Sequence, residues 1–223
     1  FISYFVFLIS YFVFYYLRIS FETMKKILFL FLLILSIQAG AQSFRGGFRA
    51  GLTGSQVDGD NLSGFDKAGL TGGFMVALPL DEYSDLAMEL LFVQKGSRRN
   101  PTRDNNLTKY VMRLNYIEVP LLYRRQLKSN FGFETGLSFG ILLDNENREF
   151  DINGAIPARP DFEKYELAAH LGFRYFFNEK QSINLRYSNS VLPIRKAPGI
   201  STYNYFIRGQ YNMLLGLTYE HWF

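Results

Sequence analysis

The residues equipped to catalyse or to bind are few in this chain. There are two histidines, His170 and His221. His170 lies midway between Glu166 and Arg174, where an imidazole could move a proton. Its plainer reading is as one polar group among others in an interior. His221 stands close to the last residue, where an interfacial imidazole is the ordinary interpretation. Neither GxSxG nor HExxH occurs. With no cysteine, thiolate nucleophiles, thiolate metal sites, disulfides and a lipoprotein anchor all drop out. Asp58, Asp60 and Asp66 raise the question of calcium, but their spacing fails the EF-hand pattern and no glutamate fills its closing position. A solvated acidic loop fits them better. Arg98, Arg99 and Arg103 could meet the phosphates of lipopolysaccharide, or simply keep a loop in solution. Asp144, Glu146, Glu149, Asp151, Asp161 and Glu163 make a later segment acidic. No catalytic, cofactor or metal site is therefore assigned, and the chain is expected not to be an enzyme. The net charge of +4 is scattered, without the basic stripe interleaved with aromatics that grips nucleic acid.

The remaining charges gain meaning from the elements that carry them. In residues 131–143, Phe131, Phe133, Leu137, Phe139, Ile141 and Leu143 alternate with Gly132, Glu134, Gly136, Ser138 and Gly140. A period of two places these sets on opposite faces of a strand. The pattern recurs over 165–177 and at the C-terminus, where a strand is predicted from about Tyr203 to Phe223. Further strands are predicted near 44–54, 67–79, 86–96, 109–126 and 181–191. The connections alternate short and long, as in an up-and-down barrel with short periplasmic turns and long external loops. The expectation is all-β: an eight-stranded antiparallel up-and-down transmembrane β-barrel spanning 42–223, with both termini periplasmic.

The polar face carries charges of mixed sign: Arg49, Glu89, Arg113, Glu118, Glu134, Glu166, His170, Arg174, Arg186, Arg208 and Glu220. These are assigned to a polar network in a narrow lumen. A lipocalin-like barrel would instead keep its apolar face inside. Arg113 and Glu118 fall on opposite registers of one strand, so a bulge near Tyr116 or Ile117, before Pro120, is predicted to bring both inward. On the outward face Leu215, Leu217, Tyr219 and Phe223 form a terminal signal for the barrel-insertion machinery.

Residues 24–41 start with Met24 and two lysines, run apolar from Ile27 to Ile37 and end in Ala39-Gly40-Ala41. This is the layout of a secretory signal peptide, with small residues at Ala39 and Ala41 and cleavage before Gln42. Residues 1–23 are apolar and begin with Phe; they read as upstream sequence translated in frame, the alternative being an N-terminal apolar helix.

The segments RAGLTGS at 49–55, KAGLTGGFMVALPL at 67–80, AMELLFVQKGSR at 87–98, LNYIEVPLLYRR at 114–125, ETGLSFGILL at 134–143 and the closing LLGLTYEHWF carry a resemblance. In them the mature chain resembles the PorT-like outer-membrane β-barrel family of Gram-negative bacteria. The stretch 115–122 is the most specific, because alternation alone calls for neither its proline nor its acid. The resemblance implies an eight-stranded outer-membrane barrel, and the family includes a component associated with type IX secretion and gliding. The partners expected are outer-membrane lipid, the barrel-insertion machinery, and lipopolysaccharide or secretion-system proteins, with no nucleic acid. A structural or interaction role leads; a small-solute pore or a lipid-modifying enzyme is the alternative.

Overall fold

The computed structural model describes residues 44–60, 62, 64–101, 108–127, 130–143, 149–158, 160–196 and 209–223. Residues 1–23, the signal segment with Ala39, Ala41 and Gln42, the predicted start of the last strand at 203–208, and Arg208 itself lie outside the described residues. From Phe44 onward the alternating segments become eight long strands: β1 (Arg45–Asp58), β2 (Lys67–Pro79), β3 (Ser84–Lys95), β4 (Leu114–Gln126), β5 (Phe131–Leu142), β6 (Tyr165–Asn178), β7 (Gln181–Ser190) and β8 (Gly209–Trp222). Each pairs antiparallel with the next, and β8 returns to β1 from Gly47↔Trp222 to Asp58↔Tyr211. Closure leaves none of the eight with an unpaired long edge, the condition for a sheet to cross lipid. The fold is an all-β, closed, eight-stranded antiparallel up-and-down barrel.

The two faces settle which solvent lies outside. On β8, Leu215, Leu217 and Tyr219 are 41%, 54% and 38% exposed, while Thr218 and Glu220 between them are 4% and 0% exposed. The same inversion, apolar out and polar in, holds on β5, where Phe131, Leu137, Phe139 and Ile141 face out and Glu134 and Ser138 face in. A lipocalin would show the reverse. Aromatics gather where the outward band meets the short turns: Phe48, Phe74, Phe131, Tyr175, Phe177 and Phe223 are exposed there. Phe131 and Tyr175 lie 5.2 Å apart by ring centroid, and Tyr175 and Phe177 5.5 Å. This is the girdle that a lipid interface selects.

The connections alternate as expected. Residues 80–83 and 179–180 are short turns held by side chains, Asp81 Oδ1 accepting from Tyr83 N at 2.8 Å and Asn178 Oδ1 from Lys180 N at 2.9 Å, and only four residues separate β4 from β5. Both ends of the described chain lie beside these turns, since Phe223 N donates to Gly46 O and Trp222 N to Lys180 O. At the other end the connections are long, and Arg98–Arg99, Tyr110–Met112, Glu149–Asp151 and Gly154–Ile156 form a small separate sheet.

One predicted strand needs correction. The segment 109–126 is two pieces, interrupted at Arg113, and β4 contains no bulge. The β3–β4 pairing keeps one register from Ser84↔Arg125 to Lys95↔Leu114, and β4–β5 keeps one from Tyr116↔Leu142 to Gln126↔Gly132. Only the β3 rungs beside Pro120, a residue without an N–H, drop out of the ladder.

Candidate functional site

Inward positions recur every second residue, so a charge meets its counter-ion only where register brings two strands to one height. Arg49 and Glu220 are direct partners across the β1–β8 seam. Gly172 on β6 faces Glu134 on β5 and Arg186 on β7. Because Gly172 has no side chain, Arg186 Nε reaches across its backbone to Glu134 Oε1 at 2.5 Å. A Cβ on Gly172 would sit 2.6 Å from that same carboxylate oxygen.

These rungs converge on one ring. Glu89 on β3 accepts from Arg49 Nη1 at 2.8 Å and from Arg186 Nη1 and Nη2 at 2.8 and 3.0 Å. Glu220 Oε2 accepts from Arg174 Nε at 3.0 Å, Arg174 Nη2 at 2.8 Å and Ser182 Oγ at 2.8 Å. Arg49 also donates to Thr218 Oγ1 at 2.6 Å and Asn184 Oδ1 at 3.1 Å. Glu89, Glu134 and Glu220 bring carboxylate oxygens within 4.8 Å of one another, a spacing that could hold a metal ion. The guanidiniums of Arg49, Arg174 and Arg186 already match those three charges, so the arrangement is a neutral ion-pair ring. All six side chains are buried.

A second polar level lies nearer the long loops. Lys95 Nζ donates to Glu166 Oε2 at 2.9 Å and pairs with Glu118, the two acids flanking Gly140 from either side. Asn212 Nδ2 completes Glu166 at 3.1 Å. His170 Nδ1 meets Ser188 Oγ at 2.6 Å, a contact that in an open cleft would suggest a base and a nucleophile. Both residues are buried, and the cavity beside them, bounded also by Glu118 and Arg186, is about 20 Å³, room for one water.

The lumen is shut at each end. Towards the short turns, Trp222 packs with Met75, Ala77, Ala87 and Leu122, and the guanidinium of Arg124 lies 4.6 Å from its ring centroid while pairing with Asp85. Below that floor a vestibule of about 490 Å³ opens, with Arg45, Asp85 and Arg124 among its walls. Towards the long loops, Val57, Met112, Leu114, Leu142, Phe162 and Ile194 cluster over the polar levels. Arg195 pins this roof, donating to Glu149 Oε1 at 2.9 Å and Gln210 Oε1 at 2.8 Å and stacking 4.3 Å from the Phe162 ring centroid. Tyr110 OH bonds the same Glu149 carboxylate.

Of the residues assigned to the lumen from sequence, Arg49, Glu89, Glu118, Glu134, Glu166, His170, Arg174, Arg186 and Glu220 are inward and buried. Arg113 is not there: it is exposed at the long-loop end with its guanidinium 4.9 Å from the Phe150 ring centroid. An outward charge above the apolar band is hydrated, so nothing forces it inward. Lys95 and Arg124 were missed, although Lys95 shares the parity of Glu89 on β3 and Arg124 that of Glu118 on β4, so the alternation already applied to their neighbours points to both. Leu215, Leu217, Tyr219 and Phe223 face outward, and His221 sits half-buried between Phe48 and Phe223. Asp58, Asp60 and Asp66 form no metal-like grouping among the described residues. Asp60 Oδ1 accepts from Leu62 N at 2.8 Å, and burial pushes its carboxyl above the usual carboxylate range.

An apolar exterior around a paired, filled interior defines a small membrane-spanning barrel. The family described as outer membrane protein beta-barrel domain matches residues 40–194, and the chain belongs to that family. Its place is accordingly the outer membrane. No curated protein matches the chain. Among solved structures, Ail, the attachment invasion locus protein of Yersinia pestis, in complex with the heparin analogue sucrose octasulfate, is 12% identical with a TM-score of 0.46, over 81% of this chain and 99% of that one. Neisserial surface protein A is 12% identical with a TM-score of 0.48, over 80% and 97%. OprG of Pseudomonas aeruginosa is 12% identical with a TM-score of 0.36, over 81% and 94%.

Proposed function

We propose that this outer-membrane barrel is a closed, non-enzymatic scaffold that acts through its surfaces, with an interaction role accessory to protein secretion of the type IX kind. The filled lumen carries this reading. Arg49, Glu89, Glu134 and Glu220 each expose 2% or less, so a water-sized sphere scarcely reaches the ring from either mouth. A hydrolase needs a nucleophile open to substrate, whereas His170 and Ser188 adjoin space for one water. What remains for partners is the outside: the long connections on one side and the short turns with the chain ends on the other. The short-turn end is taken as periplasmic, following the general form of such barrels. Support for the PorT-like assignment comes from residues 115–122, whose acid, Glu118, pairs with Lys95 inside the lumen.

Deleting the gene and measuring surface secretion, small-solute permeability and lipid A composition in parallel tests the proposal. A secretion defect with normal permeability and lipid A is the expected result. Altered lipid A that depends on His170 would instead make the protein an enzyme.

A further inference from the structure

A second charged feature lies on the outside of the barrel, at the long-loop end. A groove of about 520 Å³ is lined by four cations, Lys67, Arg98, Lys109 and Arg113, and among the described residues no carboxylate lines it. Arg98, Lys109 and Arg113 are exposed, and Lys67 is half-buried with its Nζ donating to Ala68 O at 3.0 Å. The Phe150 ring beneath Arg113 holds that guanidinium in place. Arg98 and Arg113 stand close enough to Lys67 to repel its ammonium. Like charges gathered this way raise the free energy of the empty groove, and an anion seated among them lowers it.

The height of the groove selects the anion. On the outward face of β3 and β4 the paired rung Phe92↔Ile117 belongs to the apolar band, and two residues further along each strand the rung is Gln94↔Asn115. Gln94 and Asn115 form the floor of the groove. With about 3.3 Å per residue and a strand tilt of about 40°, this polar floor lies roughly 5 Å above the last apolar rung, and Arg113, two residues beyond Asn115, roughly 10 Å above it. That is the depth of lipid headgroups. Directly beneath, Leu70, Phe92 and Val119 are 56%, 37% and 39% exposed, a surface for acyl chains.

We propose that this groove binds the phosphate groups of a glycolipid in the outer leaflet, with Arg98 and Arg113 as bidentate ligands, Lys67 and Lys109 as flanking charges, and the acyl chains against β2, β3 and β4. The site goes beyond the closed-scaffold reading and rests on the outer-membrane placement with the long connections outermost, so lumen conductance and lipid binding are separately measurable.

The test is native mass spectrometry of the full chain folded in detergent and titrated with diphosphoryl lipid A, its dephosphorylated form, and inorganic phosphate as competitor. One diphosphoryl lipid A should be retained, the dephosphorylated form at least tenfold more weakly, and inorganic phosphate should not displace it at equal concentration. Arg98→Glu/Arg113→Glu should weaken retention at least tenfold, with folding checked by heat-modifiable gel mobility, and Lys109→Glu provides the same reading if the double variant does not fold. Lys180→Glu, at the opposite end of the barrel, should leave retention unchanged. Undiminished retention in the folded groove variants overturns the site. Equal binding of dephosphorylated lipid A would make the contact one of acyl chains alone. Displacement by inorganic phosphate would make it a soluble-anion site, and either result removes the glycolipid assignment.

Discussion

Glu89 illustrates how much the lumen asks of single residues. Its carboxylate serves Arg49 and Arg186 together, so removing its charge leaves two buried guanidiniums sharing the remaining acids of the ring. Breaking a buried pair from one side is far more damaging than replacing both partners. Glu89→Gln should therefore lower unfolding stability by about 3 to 5 kcal/mol, and Glu89→Gln/Arg186→Met, which restores the charge balance, should recover part of that loss. Reversible urea unfolding in lipid vesicles reads both; a double variant no better than the single one would count against charge balance as the cause. Gly172 offers an independent check. An added methyl must push the Glu134 carboxylate off Arg186, so Gly172→Ala should cost about 1 to 3 kcal/mol by the same measurement, as overpacking does elsewhere. A neutral result would mean the ring re-forms around a side chain at that position.

At the scale of an element, β8 combines two tasks. Its even-numbered positions, Asn212, Thr218 and Glu220, serve the lumen, while Leu215, Leu217 and Tyr219 face lipid. Leu217 lies between Leu52 on β1 and Leu185 on β7, well inside the apolar band. Arginine there should destabilise the barrel by about 2 to 4 kcal/mol if the rung is near the midplane, with the cost falling towards either interface. A change near zero in vesicle unfolding would contradict the outward assignment. Phe223 closes the girdle beside Phe48 and His221, at ring-centroid distances of 6.3 and 6.2 Å. Deleting it should slow assembly by purified insertion machinery in proteoliposomes; insertion as fast and as complete as the parent would leave Phe223 as lipid-facing surface only.

For the molecule as a whole, the Trp222 floor, the paired ring and the apolar roof lie in series across the lumen. Planar-bilayer recordings should show no discrete conductance steps. Regular steps abolished by a bulkier residue at an inward glycine would establish a pore and displace the scaffold reading. The same series arrangement leaves the outer surface, including the basic groove, as the part that can change its partners without disturbing the interior.

Strand number, the inside and outside faces and the alternation of loop lengths were all written in the sequence, because side chains alternate with a period of two whatever the strand's neighbours are. The sign mixture of the inward face was legible for the same reason. Register was not. Which acid meets which base depends on how far each strand is shifted against the next, and that shift is set by closure of the barrel. Tertiary structure thus decided that Glu134 and Arg186 meet over Gly172, that Lys95 sits between Glu118 and Glu166, and that Arg113 stays outside, just ahead of an unbulged strand. It also gathered Lys67, Arg98, Lys109 and Arg113 into one groove. They are spread over 67–113, and only strand pairing and a folded connection bring them together.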